Sequence, residues 1–196
     1  MSTLRCFIAI DLPPDLRKAI EALSQRLRAH PGQACMRWVD PSGIHLTLKF
    51  LGNLPAASVP EVASVLDQAA SAQAPFSLTV GGIGCFPDGR NPRVVWAGLD
   101  DPTGRLRLLH ASIESGCAAI GMAPEARPFS PHLTLGRVRR EAGPEAAGVV
   151  RAVLDDERAF HAGEMLADAV HLFRSDLRST GAVYTRLHSA AFRGSR

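Results

Sequence analysis

The sequence of 196 residues predicts an α+β protein with antiparallel sheets, in which two related halves of one bilobal domain bring their strands to one cleft. Three observations predict it. The tetrad His45-Leu46-Thr47-Leu48 returns unchanged as His132-Leu133-Thr134-Leu135, 87 residues on, a period too long for a solenoid repeat but suited to two halves of one pseudo-symmetric domain. Both copies alternate apolar and polar residues with the period of a half-buried strand. Segments of helical spacing and segments of strand spacing succeed one another through short loops with hairpin signals. No linker divides the chain, so a single bilobal domain over 1–196 is expected.

Arg5 to Ile10 reads as a strand, and Asp11-Leu12-Pro13-Pro14 as the entrance to a helix that runs to about Ala29, with Leu16, Ala19, Ile20, Leu23 and Leu27 on one stripe. Pro31-Gly32 ends it. Met36 to Asp40 is a short strand, and Pro41-Ser42-Gly43 turns into the first tetrad strand. There Ile44, Leu46, Leu48 and Phe50 share the core parity and His45, Thr47 and Lys49 the other. Ser58 and Glu61 have capping-box spacing before a helix with inner residues Val62, Val65, Leu66 and Ala69. Phe76 to Val80 alternates as a strand. Gly81-Gly82-Ile83-Gly84 lacks the G-x-G-x-x-G spacing of a nucleotide loop and reads as a turn or bulge. Asp88-Gly89 marks the turn of a hairpin with Arg93 to Gly98. A third helix spans Pro102 to Ile120, and the second tetrad strand begins after Pro131. A fourth helix carries Val149, Val150, Val153 and Leu154, and two strands come after it, Ala169–Ser175 and Ala182–Leu187, joined through Gly181.

A content of 46% hydrophobic residues supports a sizeable core. The amino terminus lacks a signal-peptide pattern and no apolar run is long enough to span a bilayer, so a cytoplasmic protein without a membrane is expected. Four scattered cysteines form neither a disulfide framework nor a zinc pattern, and neither tetrad lies in a metal-ligand motif, so neither metal nor cofactor is expected. The net charge is +3, and Lys18 and Lys49 are the only lysines among 22 basic residues. Arginine's bidentate fork suits phosphate.

The two tetrads carry the chemistry. An identical His-x-Thr on the polar parity of two distant strands has no packing rationale, because packing selects the apolar positions. Brought into one cleft, His45 and His132 supply an acid and a base for opposite sides of a phosphorus atom, with the Thr47 and Thr134 hydroxyls beside them.

Arg5-x-Phe7-x-Ala9-Ile10, the two tetrads, Phe50-Leu51-Gly52, Arg93-Val94-Val95-Trp96, and Leu172-Phe173-x-Ser175 with Tyr184 together resemble the LigT-type RNA 2′,3′-cyclic phosphodiesterases of the 2H phosphoesterase superfamily. The resemblance implies a 2H phosphoesterase fold of two pseudo-symmetric lobes of antiparallel sheet with helices outside, and hydrolysis of a 2′,3′-cyclic phosphate on RNA ends or nucleotides to a 2′-phosphate in the metal-free central cleft between them. It makes His45 and His132 the catalytic pair, sets Thr47 and Thr134 on the nonbridging oxygens, and makes Arg137 the phosphate-binding arginine. Strand parity opposes this last role. Arg137 is out of phase with His132 and reaches the cleft only if Gly136 hosts a bulge or the strand ends. Lys49, in phase with His45, adds positive potential, and Phe7 is a platform for a base. A monomer is expected. Three rivals stand beside hydrolysis: reversible 2′-5′ RNA ligation on the same site, a nucleotide- or RNA-binding module without turnover, and a metal hydrolase, which the absence of a ligand motif disfavours.

Overall fold

The computed structural model describes residues 2–178 and 181–194. Nine strands and four helices run in the order β1 (Thr3–Ile10), α1 (Pro14–Ala29), β2 (Met36–Trp38), β3 (Leu46–Pro55), α2 (Val59–Ser71), β4 (Phe76–Phe86), β5 (Val94–Asp100), α3 (Arg105–Ala119), β6 (His132–Val138), α4 (Glu145–Asp156), β7 (His161–Ala167), β8 (Ala169–Arg178) and β9 (Gly181–Ala191) among the described residues. All pairings are antiparallel, in one sheet ordered β3-β1-β8-β9 and a second ordered β2-β6-β5-β4-β7. Without the edge strand β2, the two orders correspond: each tetrad strand pairs with a strand that precedes it, β3 with β1 and β6 with β5, and two further strands complete each lobe.

The helices form because their apolar residues recur at three and four. In α1, Pro14 takes a first-turn position where its missing N–H costs nothing, and Leu16, Ile20, Leu23 and Leu27 are buried as one stripe. Helix α2 buries Val62, Val65, Leu66, Ala69 and Ala70 against β8 and β9 of the first sheet, with α3 beside it against β3. Helices α1 and α4 lie over the second sheet, against β7 and β4. Ser58, expected to cap α2, is itself in a helical conformation and makes no side-chain cap. Between Gly81 and Ile83 the ladder slips by one residue at Gly82, whose φ of 69° only glycine adopts without strain, so the glycine cluster is a bulge inside β4. Strand β7, which pairs with β4 at the edge, has no clear signal in the sequence: its Gly163 and exposed Glu164 and Leu166 interrupt clean alternation. Residues 179 and 180, in the expected junction between the last two strands, lie outside the described residues.

Ladder slips beside the two tetrads set the geometry of the cleft. In β6, Thr134 pairs with Trp96 and Gly136 with Val95, leaving Leu135 as an extra residue. In β3, Thr47 pairs with Ala9 and Lys49 with Ile8, leaving Leu48 extra. Each slip reverses the parity of the residues beyond it, and the consequence is a residue at the fifth position after each histidine, Phe50 or Arg137, on the same face as the threonine.

Candidate active site

Each tetrad histidine is held the same way. Nδ1 of His45 donates to the Gly43 carbonyl at 2.8 Å, and Nδ1 of His132 donates to the Ser130 carbonyl at 2.7 Å. A carbonyl oxygen only accepts, so Nδ1 carries the hydrogen and Nε2 is left to give or take a proton. Burial pushes both imidazoles below their ordinary pKa, against the raising effect of those carbonyls. Their charged neighbours differ. Asp11 favours the cation at His45 while Arg17 opposes it, whereas Arg137 disfavours the cation at His132.

Thr47, Lys49, His132, Thr134 and Arg137 line one cleft of about 530 Å³, together with Phe50, Phe86, Arg93 and Phe129. The structure thus brings both tetrads to one space. His45 precedes β3, two residues before the lining residue Thr47, stacked on Phe7 at 4.5 Å between ring centroids and met edge-on by Tyr184 at 5.2 Å. His132 is met edge-on by Phe86 at 5.0 Å. Arg137 reaches the cleft because of the Leu135 slip, and Gly136 makes that path possible, since a Cβ there would overlap the Trp38 ring. The parity objection to Arg137 is removed by the bulge.

Two expectations are corrected. Lys49 does not offer a free charge to the cleft: the Leu48 slip turns it to the core side of β3, where it is 5% exposed, and its Nζ donates to Glu114 at 2.7 Å and to the Ala123 carbonyl at 3.1 Å. Phe7 is 3% exposed and packed against His45, Phe173 and Tyr184, so it supports the first histidine and offers no open face to a base. The open ring is Phe50, assigned to the core by strict alternation and found 58% exposed on the cleft. The repeat itself carries the missing signal, because Phe50 lies beyond His45 by the same interval at which Arg137 lies beyond His132. Tyr184 gained no role from the sequence because only the pairing of β8 with β9, and of β8 with β1, carries it to His45.

Among the described residues, no group of three or more His, Cys, Asp or Glu is gathered as a metal site, and no helix is long and apolar enough to cross a membrane. All four cysteines are free.

Two antiparallel lobes that each send a His-x-Thr to a shared cleft define a phosphoesterase of the two-histidine class. Comparison with known proteins agrees. The family described as LigT like phosphoesterase matches residues 10–96 and again 98–184, one tetrad in each match, and this chain belongs to that family. It is similar to the RNA 2′,3′-cyclic phosphodiesterase of Methanothermobacter thermautotrophicus, 31% identical over 182 residues that cover 93% of this chain and 95% of the relative. Among solved structures, a protein of Thermus thermophilus superposes with a TM-score of 0.79 at 30% identity, over 98% of this chain and 100% of the other. LigT of E. coli complexed with 3′-AMP superposes with a TM-score of 0.75 at 27% identity, over 97% of this chain and 99% of the other.

Proposed function

We propose that the protein hydrolyses 2′,3′-cyclic phosphates on RNA ends and nucleotides to 2′-phosphomonoesters. The observation that carries this reading is the pair of imidazoles with matching Nδ1 anchors, one from each lobe, with His132 and the two tetrad threonines lining one cleft. The cyclic phosphate sits between the lobes, with the Thr47 and Thr134 hydroxyls and the Arg137 guanidinium on its nonbridging oxygens. The charge that grows there in the transition state meets fixed donors.

His132 acts as the base. Burial and the neighbouring Arg137 favour its neutral form, so Nε2 takes a proton from water as the water oxygen bonds to phosphorus. His45 acts as the acid. Of the two imidazoles it alone has a carboxylate, Asp11, favouring its charged form, against burial and Arg17, and its Nε2 proton passes to O3′ as the P–O3′ bond breaks. A 3′-hydroxyl and a 2′-phosphate result, and the two imidazoles have exchanged protonation states. Each proton transfer is worth about 10²- to 10⁴-fold. The base of the terminal nucleotide stacks on Phe50, the open ring opposite Arg137 in the pseudo-symmetric arrangement. Likeness to relatives named RNA 2′,3′-cyclic phosphodiesterase, and to a LigT complexed with 3′-AMP, supports an RNA or nucleotide substrate.

The test offers pure protein an RNA ending in a 2′,3′-cyclic phosphate and locates the phosphate in the product. The expected product resists a phosphatase specific for 3′-phosphates and yields to a general one, and His45→Ala and His132→Ala each lower turnover about 10³-fold or more with an unchanged melt. A predominant 3′-phosphate, or no turnover by the wild type, overturns the reading.

A further inference from the structure

Strand β2 is the outer edge of the second sheet and pairs with β6 in a register that sets Arg37 directly opposite Arg137. Directly opposed residues of an antiparallel pair project to the same face with Cβ atoms roughly 4.5–5.5 Å apart, and like charges so placed repel. The faces are unambiguous here. Met36 and Trp38, on either side of Arg37, pack into the core, while Arg37 is exposed on the face that Arg137 gives to the cleft. Among the described residues no carboxylate forms an ion pair with Arg37, Arg93 or Arg137, and none of the three guanidinium groups has a hydrogen-bond partner. Nearby arginines are engaged: Arg28 donates to the Val39 carbonyl, and Arg139 to the carbonyls of Ala34 and Met36. Two opposed, unpaired guanidinium groups at the cleft mouth are compatible when an anion lies between or along them.

We propose that Arg37, one strand beyond Arg137, forms a second phosphate subsite that takes the phosphate on O5′ of the terminal nucleoside. The proposal rests on the reading of the cleft as a cyclic-phosphate site. On a ribose closed at O2′ and O3′, the base leaves from C1′ and the chain leaves through C4′ and C5′, so the two diverge from the fixed phosphate. With the base on Phe50 in the first lobe, the O5′ side is directed to the second, where β2 lies one strand spacing, about 4.8 Å, beyond β6. The protein is thereby built to prefer a nucleotide that carries a phosphate on its 5′ side over a bare nucleoside cyclic phosphate.

The test measures kcat/KM for three substrates, a nucleoside 2′,3′-cyclic phosphate, its 5′-phosphorylated form and a dinucleotide ending in the cyclic phosphate, with wild type and Arg37→Gln. The expected result is a wild-type preference for the two 5′-phosphate-bearing substrates that falls about tenfold in R37Q. Loss on both identifies the phosphate itself as the recognised group, and loss on the dinucleotide alone identifies a diester. In parallel, the Kd of an oligonucleotide ending in a 2′-phosphate is measured against salt. Loss of one phosphate contact lowers the slope of log K on log salt by about 0.7. R37K retains most of that slope. A preference and a slope that R37Q leaves unchanged overturn the proposal and leave Arg37 as a charge that protects an exposed edge strand. Should the wild type hydrolyse none of the three, the cyclic-phosphate reading fails, while the binding measurement still decides the subsite.

Discussion

Arg137 stands three residues beyond Thr134 in β6 and shares its face, because Leu135 between them has no partner on β5. In an unbroken strand the two side chains point to opposite faces. The slip therefore gives one strand three inward groups, an imidazole, a hydroxyl and a guanidinium, at the first, third and sixth positions from His132. In the proposed mechanism the guanidinium serves the nonbridging oxygens, so Arg137→Gln removes a charge-assisted contact that strengthens as charge accumulates, and kcat/KM falls about 10²-fold or more. Arg137→Lys recovers only part of the loss, because an ammonium lacks the planar fork. A loss confined to KM would show that Arg137 contributes binding without regard to the transition state.

Burial places both tetrad imidazoles below the ordinary value, and that fixes the sign of the pH dependence of the proposed reaction. The profile of kcat/KM reports the free enzyme, rising as the base loses its proton and falling as the acid loses its own. With both groups depressed, the bell centres on the acidic side of about 6.5, the ordinary imidazole pKa. Arg137→Gln also withdraws a charge that disfavours the His132 cation, so one limb of the profile moves to higher pH in that variant. The two limbs belong to the pair as macroscopic values, and the shift on substitution is what assigns His132 to one of them. Saturating chelator leaves the bell and its height unchanged. A profile flat between about pH 5 and 8 refutes a two-imidazole mechanism.

Phe50 and Arg137 occupy corresponding positions of the two lobes but differ in chemistry, which breaks the symmetry of the cleft. A ring on one side and a cation on the other allow a nucleotide to be seated one way round. Phe50→Ala removes a stacking surface worth about 1–3 kcal/mol per base, so kcat/KM for RNA ends drops roughly 5- to 150-fold. At 58% exposure, the ring contributes little to the core, and the melting temperature stays within about a degree. Phe50→Trp keeps most of the activity. Equal activity of F50A and the wild type sets the base elsewhere.

The lobes, their helices and the duplicated His-x-Thr were legible because amphipathic periods and an identical internal repeat are properties of the sequence itself. Strict alternation failed only where the ladder slips. It put Phe50 in the core and a free Lys49 charge in the cleft, whereas Phe50 is open and Lys49 is buried against Glu114, because a bulge is decided by the pairing of two strands and not by either alone. The same limit hid Tyr184 and Arg37, whose positions depend on registers with β8 and β6. Phe7 reads as an open platform for a base because the His45 ring that covers it comes from a strand end distant in the sequence.

Lys49, on the polar parity of its tetrad, ties three segments together and leaves the substrate to others. Its ammonium bonds Glu114 of α3 and the Ala123 carbonyl, while the other Glu114 oxygen accepts from the Glu125 N–H at 3.2 Å. Ala123 and Glu125 belong to the loop that runs from α3 to His132, so the pair fixes the approach to the second tetrad. Burial pushes the Glu114 carboxyl up, but its bonds to Lys49 and to the Glu125 backbone outweigh this and hold it below the usual carboxylate range. A group with a depressed folded pKa stabilises above its unfolded value, and the contribution is lost as pH falls through the folded one. Lys49→Met leaves a largely buried carboxylate without its cation, a change of about 3 kcal/mol where the pair is well buried. For a chain of this length that is roughly 6–12 °C in melting temperature. The deficit should be full at pH 7 and shrink below about pH 4, where Glu114 of the variant is protonated. Lys49→Met with Glu114→Gln removes the stranded charge and recovers part of the loss. Thermal melts of the three proteins at about pH 7 and about pH 3.5 decide it, and a K49M deficit that does not narrow in acid would show that Lys49 contributes packing and not charge.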